Sequence, residues 1–134
     1  MGKPQRVLVA EDEATVALGL TALLEEMGHE VVGHAPDGQT AVDMARDLKP
    51  DLMVMDIKMS PMDGLQAARA ILNERPAPIV FITGYANRDW MDQAAELGAF
   101  AYLTKPVRPP DLAAAIELAV ARFGELEKLR KDAG

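Results

Sequence analysis

Cysteine is absent from the 134-residue chain, which excludes disulfides, thiol nucleophiles and thiolate metal sites. Basic residues are the minority, since 14 lysines and arginines stand against 21 acids and leave a formal net charge of −7. A nucleic acid backbone is therefore a poor partner, because such binding depends on clustered positive charge. The polar start leads into an apolar run that is too short for a signal peptide or a membrane span. We expect a cytoplasmic protein that binds no membrane and, through this segment, no nucleic acid.

Hydrophobic residues make up 49% of the chain and charged residues 26%, which is ordinary for one globular domain. Five short apolar runs, typical of buried strands, alternate with segments in which apolar residues recur at helical spacing. The runs are 7–10, 31–32, 52–55, 79–82 and 100–103. Turn residues such as Gly28 and Pro50 follow the helical segments. Repeated strand–helix–strand units require parallel strands with right-handed crossovers, so we predict a three-layer, doubly wound α/β sandwich.

Polar residues follow the carboxyl ends of several predicted strands, where a doubly wound sheet has its ligand site. These residues are Glu11, Asp12, Asp56, Thr83 and Lys105. Carboxylates at one edge resist desolvation unless a cation shares their charge, and oxygen ligands favour Mg²⁺ over Zn²⁺. A carboxylate such as Asp56, held at a strand end beside a divalent ion, a lysine and a hydroxyl, is suited to accept a phosphoryl group. The sequence therefore predicts phosphoryl chemistry at a Mg²⁺ site.

Four short motifs lie at the predicted strand ends. They are VLVAEDE at 7–13, DLMVMDIKM at 51–59 with MDG at 62–64, TG at 83–84 and LTKP at 103–106. In order and spacing these motifs resemble the receiver domain of two-component response regulators, and the resemblance covers residues 5–123. It implies a flavodoxin-like fold with five helices around a five-stranded parallel sheet of order 2-1-3-4-5. We expect the remaining residues, 124–134, to form a helical extension or a tail.

The resemblance implies roles for the residues around Asp56. A sensor histidine kinase or a phosphotransfer protein would phosphorylate Asp56, and Thr83 and Lys105 would bind the phosphoryl group. Thr83 and Tyr102 would form the switch that links phosphorylation to a protein-interaction surface, and the peptide bond before Pro106 would be cis. The domain would catalyse only its own phosphoryl acceptance and loss, and would not be an enzyme with an external substrate. The sequence does not identify the output partner.

The resemblance also implies which residues hold Mg²⁺. The ligands would be Asp12, Asp56 and the backbone carbonyl of Lys58, with Glu11 assisting through water. The chain departs from the family at 59–62, where Met-Ser-Pro-Met displaces by one position the proline that often follows the phosphoacceptor turn. The sequence therefore leaves the path of this loop open.

Two other function classes use related chemistry. An aspartyl-phosphate-type Mg²⁺-dependent phosphatase also uses a strand-end Asp, but it carries a second Asp two residues later, where this chain has Lys58. A nucleotide-binding switch would need a phosphate loop of the form GxxxxGKS or GxxxxGKT, and the sequence has none. The histidines, His29 and His34, flank the predicted second strand and are expected at the surface. Trp90 either marks a partner surface or packs on its own helix.

The last helical segment continues past the point where a compact receiver domain would end. Its apolar residues recur at alternating intervals of four and three, as in a coiled-coil seam, and Leu129 lies close to the same stripe. They are Leu112, Ile116, Ala119, Phe123 and Leu126. The segment resembles receivers whose last helix runs into a dimerising or RNA-binding antiterminator-type region, so one hypothesis is a homodimer through this helix. The other is a frayed tail, because a short isolated helix is marginally stable.

Overall fold

The computed structural model describes residues 3–85, 87–99 and 101–133. Within these ranges strands and helices alternate along the chain. They are β1 (Arg6–Ala10), α1 (Ala14–Glu26), β2 (Glu30–Ala35), α2 (Gly38–Leu48), β3 (Leu52–Asp56), α3 (Gly64–Glu74), β4 (Ile79–Thr83), α4 (Arg88–Glu96), β5 (Ala101–Thr104) and α5 (Pro109–Ala133). The strands are parallel and form one sheet in the order β2-β1-β3-β4-β5. This order confirms the predicted doubly wound α/β fold.

The two faces of the sheet bury separate apolar clusters, because successive side chains along a strand point to opposite faces. Leu8 and Ala10 of β1 pack with residues of α2, α3 and α4 on one face. Val7 and Val9 pack with residues of α1 and α5 on the other face. The central strands β1, β3 and β4 are covered on both faces and are nearly all buried, which explains their continuous apolar sequences. Their carboxyl ends are therefore firmly held.

The edge strand β2 is longer than the predicted run at 31–32. It spans Glu30–Ala35, and only its last residue, Ala35, is fully buried. A strand exposed along one edge carries a weak hydropathy pattern, so the sequence identified only its middle. The prediction that both histidines flank this strand is wrong for His34, which lies within β2 and is exposed. At the other edge β5 begins at Ala101, and the predicted first residue, Phe100, lies outside the described residues.

The chain that leaves β3 packs tightly against the start of α3. The backbone N–H of Gly64 donates a hydrogen bond of 2.7 Å to the carbonyl oxygen of Ile57. A Cβ atom at position 64 would collide with the backbone carbonyl of Asp56, so this position requires glycine. This contact fixes the backbone of the residue on which the predicted chemistry depends.

Two peptide bonds that precede prolines are cis. One is Lys105–Pro106, where the resemblance implies a cis bond. The other is Ser60–Pro61, in the loop whose path the sequence left open. Both lie in loops that follow the carboxyl ends of strands, β5 and β3.

Helix α5 runs unbroken from Pro109 to Ala133 and passes through Gly124 without a break. Its first half covers the sheet, where Leu112 and Ile116 are buried. Beyond the sheet, Leu126 and Leu129 are 48% and 63% exposed. None of the helices in the described ranges combines the length and the apolar character that crossing a membrane requires.

Candidate functional site

Three carboxylates meet at the carboxyl edge of the sheet. Glu11 and Asp12 directly follow β1, and Asp56 is the last residue of β3. One oxygen from each of these side chains lies within 4.8 Å of the others. Glu11 is fully buried and Asp56 is only 3% exposed, whereas Asp12 faces solvent. The structure thus brings together the acids that the sequence predicted at one edge.

Lys105, in the loop after β5, reaches across this edge to two of the acids. Its Nζ lies 2.7 Å from Glu11 Oε1 and 2.9 Å from Asp56 Oδ2. Burial alone would lower the pKa of the ammonium, but the hydrogen bonds to Glu11 and Asp56 outweigh burial and raise the pKa above its ordinary value. Lys105 therefore stays charged and balances one of the negative charges.

One lysine does not balance three carboxylates. Burial raises the pKa of Glu11 to about 7, although hydrogen bonds from Lys105 and from the backbone N–H of Glu13 act in the opposite direction. Positive charge placed beside a buried carboxyl favours its ionised form. The donor atoms are hard carboxylate oxygens, and the cluster includes no histidine. The residues present therefore fit Mg²⁺.

The backbone after Asp56 turns back toward the acid cluster. The N–H of Lys58 donates a hydrogen bond of 3.2 Å to Asp56 Oδ1, so both oxygens of Asp56 have a donor. The predicted role of the Lys58 carbonyl as a metal ligand stays a prediction. Its position, two residues beyond Asp56, places that carbonyl in the same short loop.

Thr83 ends β4, next to the strand that carries Asp56, and is fully buried. Asp56 pairs with Ile82 in the sheet register, so Thr83 lies one residue further along the neighbouring strand. The hydroxyl oxygen of Thr83 accepts a hydrogen bond of 3.2 Å from the backbone N–H of Tyr85. Its carbonyl accepts one of 2.7 Å from the backbone N–H of Lys105. Thr83 thus connects the loop after β4 to the loop that carries the lysine.

Tyr85, two residues after Thr83, is a further side chain of the site, and the sequence did not predict its contact with Lys58. Its hydroxyl accepts a hydrogen bond of 2.9 Å from Lys58 Nζ, which also lies 4.4 Å from the centre of the tyrosine ring. This hydrogen bond is the main reason that the pKa of Lys58 is raised. The pair bridges the loops after β3 and β4. No sequence pattern pairs a lysine with a tyrosine 27 positions away.

Tyr102, the predicted partner of Thr83 in the switch, is half-buried on β5 and packs beside the core. Its hydroxyl donates a hydrogen bond of 3.4 Å to the backbone carbonyl of Tyr85. Thr83 and Tyr102, the predicted switch residues, are therefore both hydrogen-bonded to the backbone of Tyr85. Trp90 is half-buried against the core, and its ring meets that of Tyr85 edge-on at 6.1 Å. Trp90 therefore packs against residues outside its own helix.

Known proteins resemble this chain over most of its length. The family model described as the response regulator receiver domain matches residues 7–117. The transcriptional regulatory protein PdtaR of Mycobacterium tuberculosis is 51% identical over 126 residues, which are 94% of this chain and 62% of that protein. The transcriptional regulatory protein LiaR of Bacillus subtilis is 38% identical over 124 residues, or 91% of this chain and 59% of that protein. The chain thus spans about three fifths of the length of these relatives.

A solved structure shares the fold over nearly the full length of both chains. It is the signal receiver domain of a modulated diguanylate cyclase from Desulfovibrio desulfuricans G20, with a TM-score of 0.85 and 33% sequence identity. The likeness covers 93% of this chain and 99% of that one. The acids and the lysine at the carboxyl edge of the sheet all lie within the range that the family model matches.

Proposed function

Because the chain belongs to the receiver domain family of two-component response regulators, we propose that Asp56 is its phosphoacceptor and that a histidine kinase or a phosphotransfer protein is the donor. The observation that carries this assignment is the setting of Asp56. It ends a buried strand, and Lys105 Nζ lies 2.9 Å from one of its oxygens. Of the three clustered acids, Asp56 alone is itself the last residue of a strand, whereas Glu11 and Asp12 follow the end of β1.

The transfer would exchange one phosphorus bond for another. The P–N bond of a phosphohistidine breaks as a bond forms between phosphorus and a carboxylate oxygen of Asp56, and the histidine nitrogen keeps the electron pair of the broken bond. Lys105 would neutralise charge on the phosphoryl oxygens, and the Thr83 hydroxyl would donate a hydrogen bond to one of them. Loss of the phosphoryl group to water would be the domain's own reaction, with no external substrate.

The acids beside Asp56 would hold Mg²⁺, through Asp12, Asp56 and the Lys58 carbonyl, with Glu11 assisting through water. When bound, the ion supplies positive charge that offsets the phosphoryl oxygens and the carboxylates. The acid cluster supports this assignment, because three carboxylates lie together and only Lys105 is paired with them. We place this reaction in the cytoplasm as part of the same proposal.

The switch would act through Tyr85. Phosphorylation adds a charge of about −2 at Asp56 and gives the Thr83 hydroxyl a stronger acceptor than any it has now. The Thr83 hydroxyl oxygen now accepts from the Tyr85 N–H, and the Tyr102 hydroxyl donates to the Tyr85 carbonyl. Movement of Thr83 toward the phosphoryl group would therefore release Tyr85 and, with it, Tyr102 on the surface of β5. That surface would bind an output partner.

The phosphatase alternative is not supported. The receiver family model matches residues 7–117, and the position two residues after Asp56, where that class carries its second Asp, holds Lys58, whose side chain binds Tyr85. Some relatives are named protein-glutamate methylesterases, and the matched region makes up 40% of one of them, from Archaeoglobus fulgidus.

A phosphorylation assay with a matched control tests the proposal. Incubation with acetyl phosphate and Mg²⁺, or with beryllofluoride and Mg²⁺, should modify Asp56 alone, and intact-mass and peptide spectra should locate the adduct. Asp56→Asn should abolish it, because the neutral amide is no nucleophile. Asp43→Asn, which changes an exposed acid on α2, should leave the yield unchanged. An unchanged yield in Asp56→Asn would contradict the assignment.

We also propose a homodimer through an exposed face of α5. Leu118, Leu126 and Leu129 are exposed by 48%, 48% and 63%, although each is a large apolar side chain. Leu118 and Leu129 lie about three helical turns apart and so on nearly the same face of α5. A second copy of this stripe would cover these leucines in the manner of a short coiled coil. An antiterminator-type output beyond this helix stays a prediction of the sequence.

Sedimentation over a range of concentrations tests the homodimer. The double change Leu126→Ser and Leu129→Ser should weaken association, whereas Leu18→Ser, which removes an exposed leucine from α1, should not. A monomer at every concentration, with and without beryllofluoride, would discard the dimer and favour a frayed tail.

A further inference from the structure

A histidine on the edge strand binds the backbone of the acid cluster. Nε2 of His34, in β2, lies 2.8 Å from the carbonyl oxygen of Glu11. A carbonyl oxygen only accepts, so Nε2 must carry the proton and donate. The carbonyl of Glu11 lies one residue beyond the end of β1, and a side chain rather than a strand amide satisfies it.

Glu11 is held by the end of β2 on both sides of its backbone. Its N–H donates a hydrogen bond of 2.9 Å to the carbonyl of Ala35, and its own carbonyl accepts from His34. The peptide unit that His34 binds is the one that joins Glu11 to Asp12. Two of the three clustered carboxylates are therefore attached to the peptide that this imidazole orients.

The two carboxylates depend on that peptide to different degrees. The side chain of Glu11 is fixed independently by Lys105 at 2.7 Å and by the N–H of Glu13 at 3.1 Å. Within residues 3–85, 87–99 and 101–133, the carboxylate of Asp12 has no hydrogen bond or ion pair. The direction of the Asp12 side chain is set by its backbone, and the hydrogen bond from His34 restrains that backbone.

We propose that His34 is a positioning residue for the Mg²⁺ site, acting through the Glu11–Asp12 peptide to hold the Asp12 carboxylate toward Asp56. The inference deepens the proposed function and rests on it. Groups that orient metal ligands from outside the ligand shell change metal affinity substantially, because they reduce the reorganisation that binding requires.

If His34 had a purely structural role, its removal would lower the free energy of unfolding. His34 is exposed and belongs to neither core cluster, and the hydrogen bond from Glu11 to Ala35 already joins the ends of the two strands. Removing the imidazole should therefore change the free energy of unfolding little, while Mg²⁺ affinity falls.

The experiment compares three variants by calorimetric Mg²⁺ titration and by urea unfolding in the presence of a chelator. His34→Phe keeps a ring but removes the donor, and it should weaken Mg²⁺ binding about tenfold with nearly unchanged unfolding. His34→Gln keeps an N–H donor at similar reach and should restore most of the affinity. His29→Phe serves as the control, since this histidine lies at the opposite edge of the sheet and accepts from the N–H of Gln5. It should bind Mg²⁺ as the unmodified protein does.

The possible outcomes are distinct. Equal Mg²⁺ affinity in His34→Phe and in the unmodified protein would overturn the inference while leaving the proposed function intact. Equal loss of affinity in His34→Phe and His34→Gln would also overturn it, because the donor would then be irrelevant. If the unmodified protein binds no Mg²⁺, the proposed function itself fails and the inference fails with it. If His34→Phe does not fold, His34→Ala replaces it in the same titration.

Discussion

The two edges of the sheet treat polar groups in opposite ways. At the amino edge the polar groups form matched pairs: the Arg6 N–H donates to the Asp51 carboxylate at 2.9 Å, and the Gln5 N–H donates to His29 Nδ1 at 3.0 Å. At the carboxyl edge three carboxylates share Lys105. A polar group that is paired with a partner loses little free energy on burial. A cluster of carboxylates with too few cations destabilises the folded state unless a further cation binds. The mismatch therefore marks the edge that has a function beyond folding.

The largest effect that separates the two edges should be their pH dependence. Burial raises the pKa of Glu11 from its ordinary 4.5 to about 7, so the folded state binds this proton more tightly than the unfolded state. The resulting stability is fully present below pH 4.5 and is lost as the pH rises through 7. The loss should amount to a few kcal/mol at most.

Urea unfolding of the metal-free protein between pH 4.5 and 7.5 measures this loss. Glu11→Gln should flatten the curve in this window, and Mg²⁺ should do so in the unmodified protein. At the amino edge, burial lowers the pKa of His29, so the contribution of this histidine to the free energy of unfolding is lost as the pH falls. If the free energy of unfolding of Glu11→Gln depends on pH as that of the unmodified protein does, Glu11 is not the source of the pH dependence at the carboxyl edge.

The next effect concerns Asp12, the exposed acid of the cluster. Asp12→Asn should weaken Mg²⁺ binding by about a hundredfold, because it removes the charge of a metal ligand. Removing a group that only hydrogen-bonds a ligand already lowers metal affinity about tenfold or more. The same change should stabilise the metal-free protein, because it relieves repulsion among the carboxylates. Metal titration and urea unfolding measure the two effects. Unchanged Mg²⁺ affinity would refute the ligand role.

Removal of the lysine should cost more stability than removal of a basic side chain at the amino edge. Lys105→Ala leaves Glu11 and Asp56 buried without their cation and should reduce the free energy of unfolding by about 2 kcal/mol at neutral pH. Arg6→Ala removes hydrogen bonds of 3.0 Å to the carbonyls of Lys49 and Leu48, which water can replace, and should cost about 1 kcal/mol or less. Urea unfolding ranks the two, and equal losses would contradict the contrast between the edges.

Lys105→Ala should also separate phosphorylation from the switch. The variant should still accept some phosphate, but the phosphate-dependent amide shifts near Tyr102 should vanish, because Lys105 no longer ties the loop after β5 to the phosphoryl group. Magnetic resonance spectra with beryllofluoride measure these shifts. Their persistence in the variant would show that the coupling takes another path.

The smallest expected effect lies at the solvent side of the carboxyl edge. Tyr85→Phe and Lys58→Met break the same hydrogen bond between exposed side chains, so each should alter the lifetime of the acyl phosphate by about twofold and leave stability nearly unchanged. We expect faster loss, because the bridge between the two loops opens. The decay of phosphorylated protein, followed by mass, measures it. Unequal effects of the two variants would show that the bond is not what matters.

The sequence predicted the parts of this molecule that depend on periodicity. Continuous apolar runs located the central strands, and the parallel arrangement then placed Asp56, Glu11 and Lys105 at one edge. The edge strand β2 was predicted too short, because its residues are only partly buried. The hydrogen bonds from Lys58 to the Tyr85 hydroxyl and from His34 to the backbone carbonyl of Glu11 were not predicted, because they depend on the path of loops rather than on a repeating pattern.

The contact between Tyr85 and Trp90 gives the protein an optical property. The chain has one tryptophan, which is half-buried and meets the tyrosine ring edge-on at 6.1 Å. Tyr85 is bonded through its backbone to Thr83 and Tyr102. Any rearrangement of these residues therefore alters the surroundings of the sole indole, and its fluorescence changes without a label or an engineered residue. Rapid mixing with beryllofluoride would then record the speed of the conformational change directly.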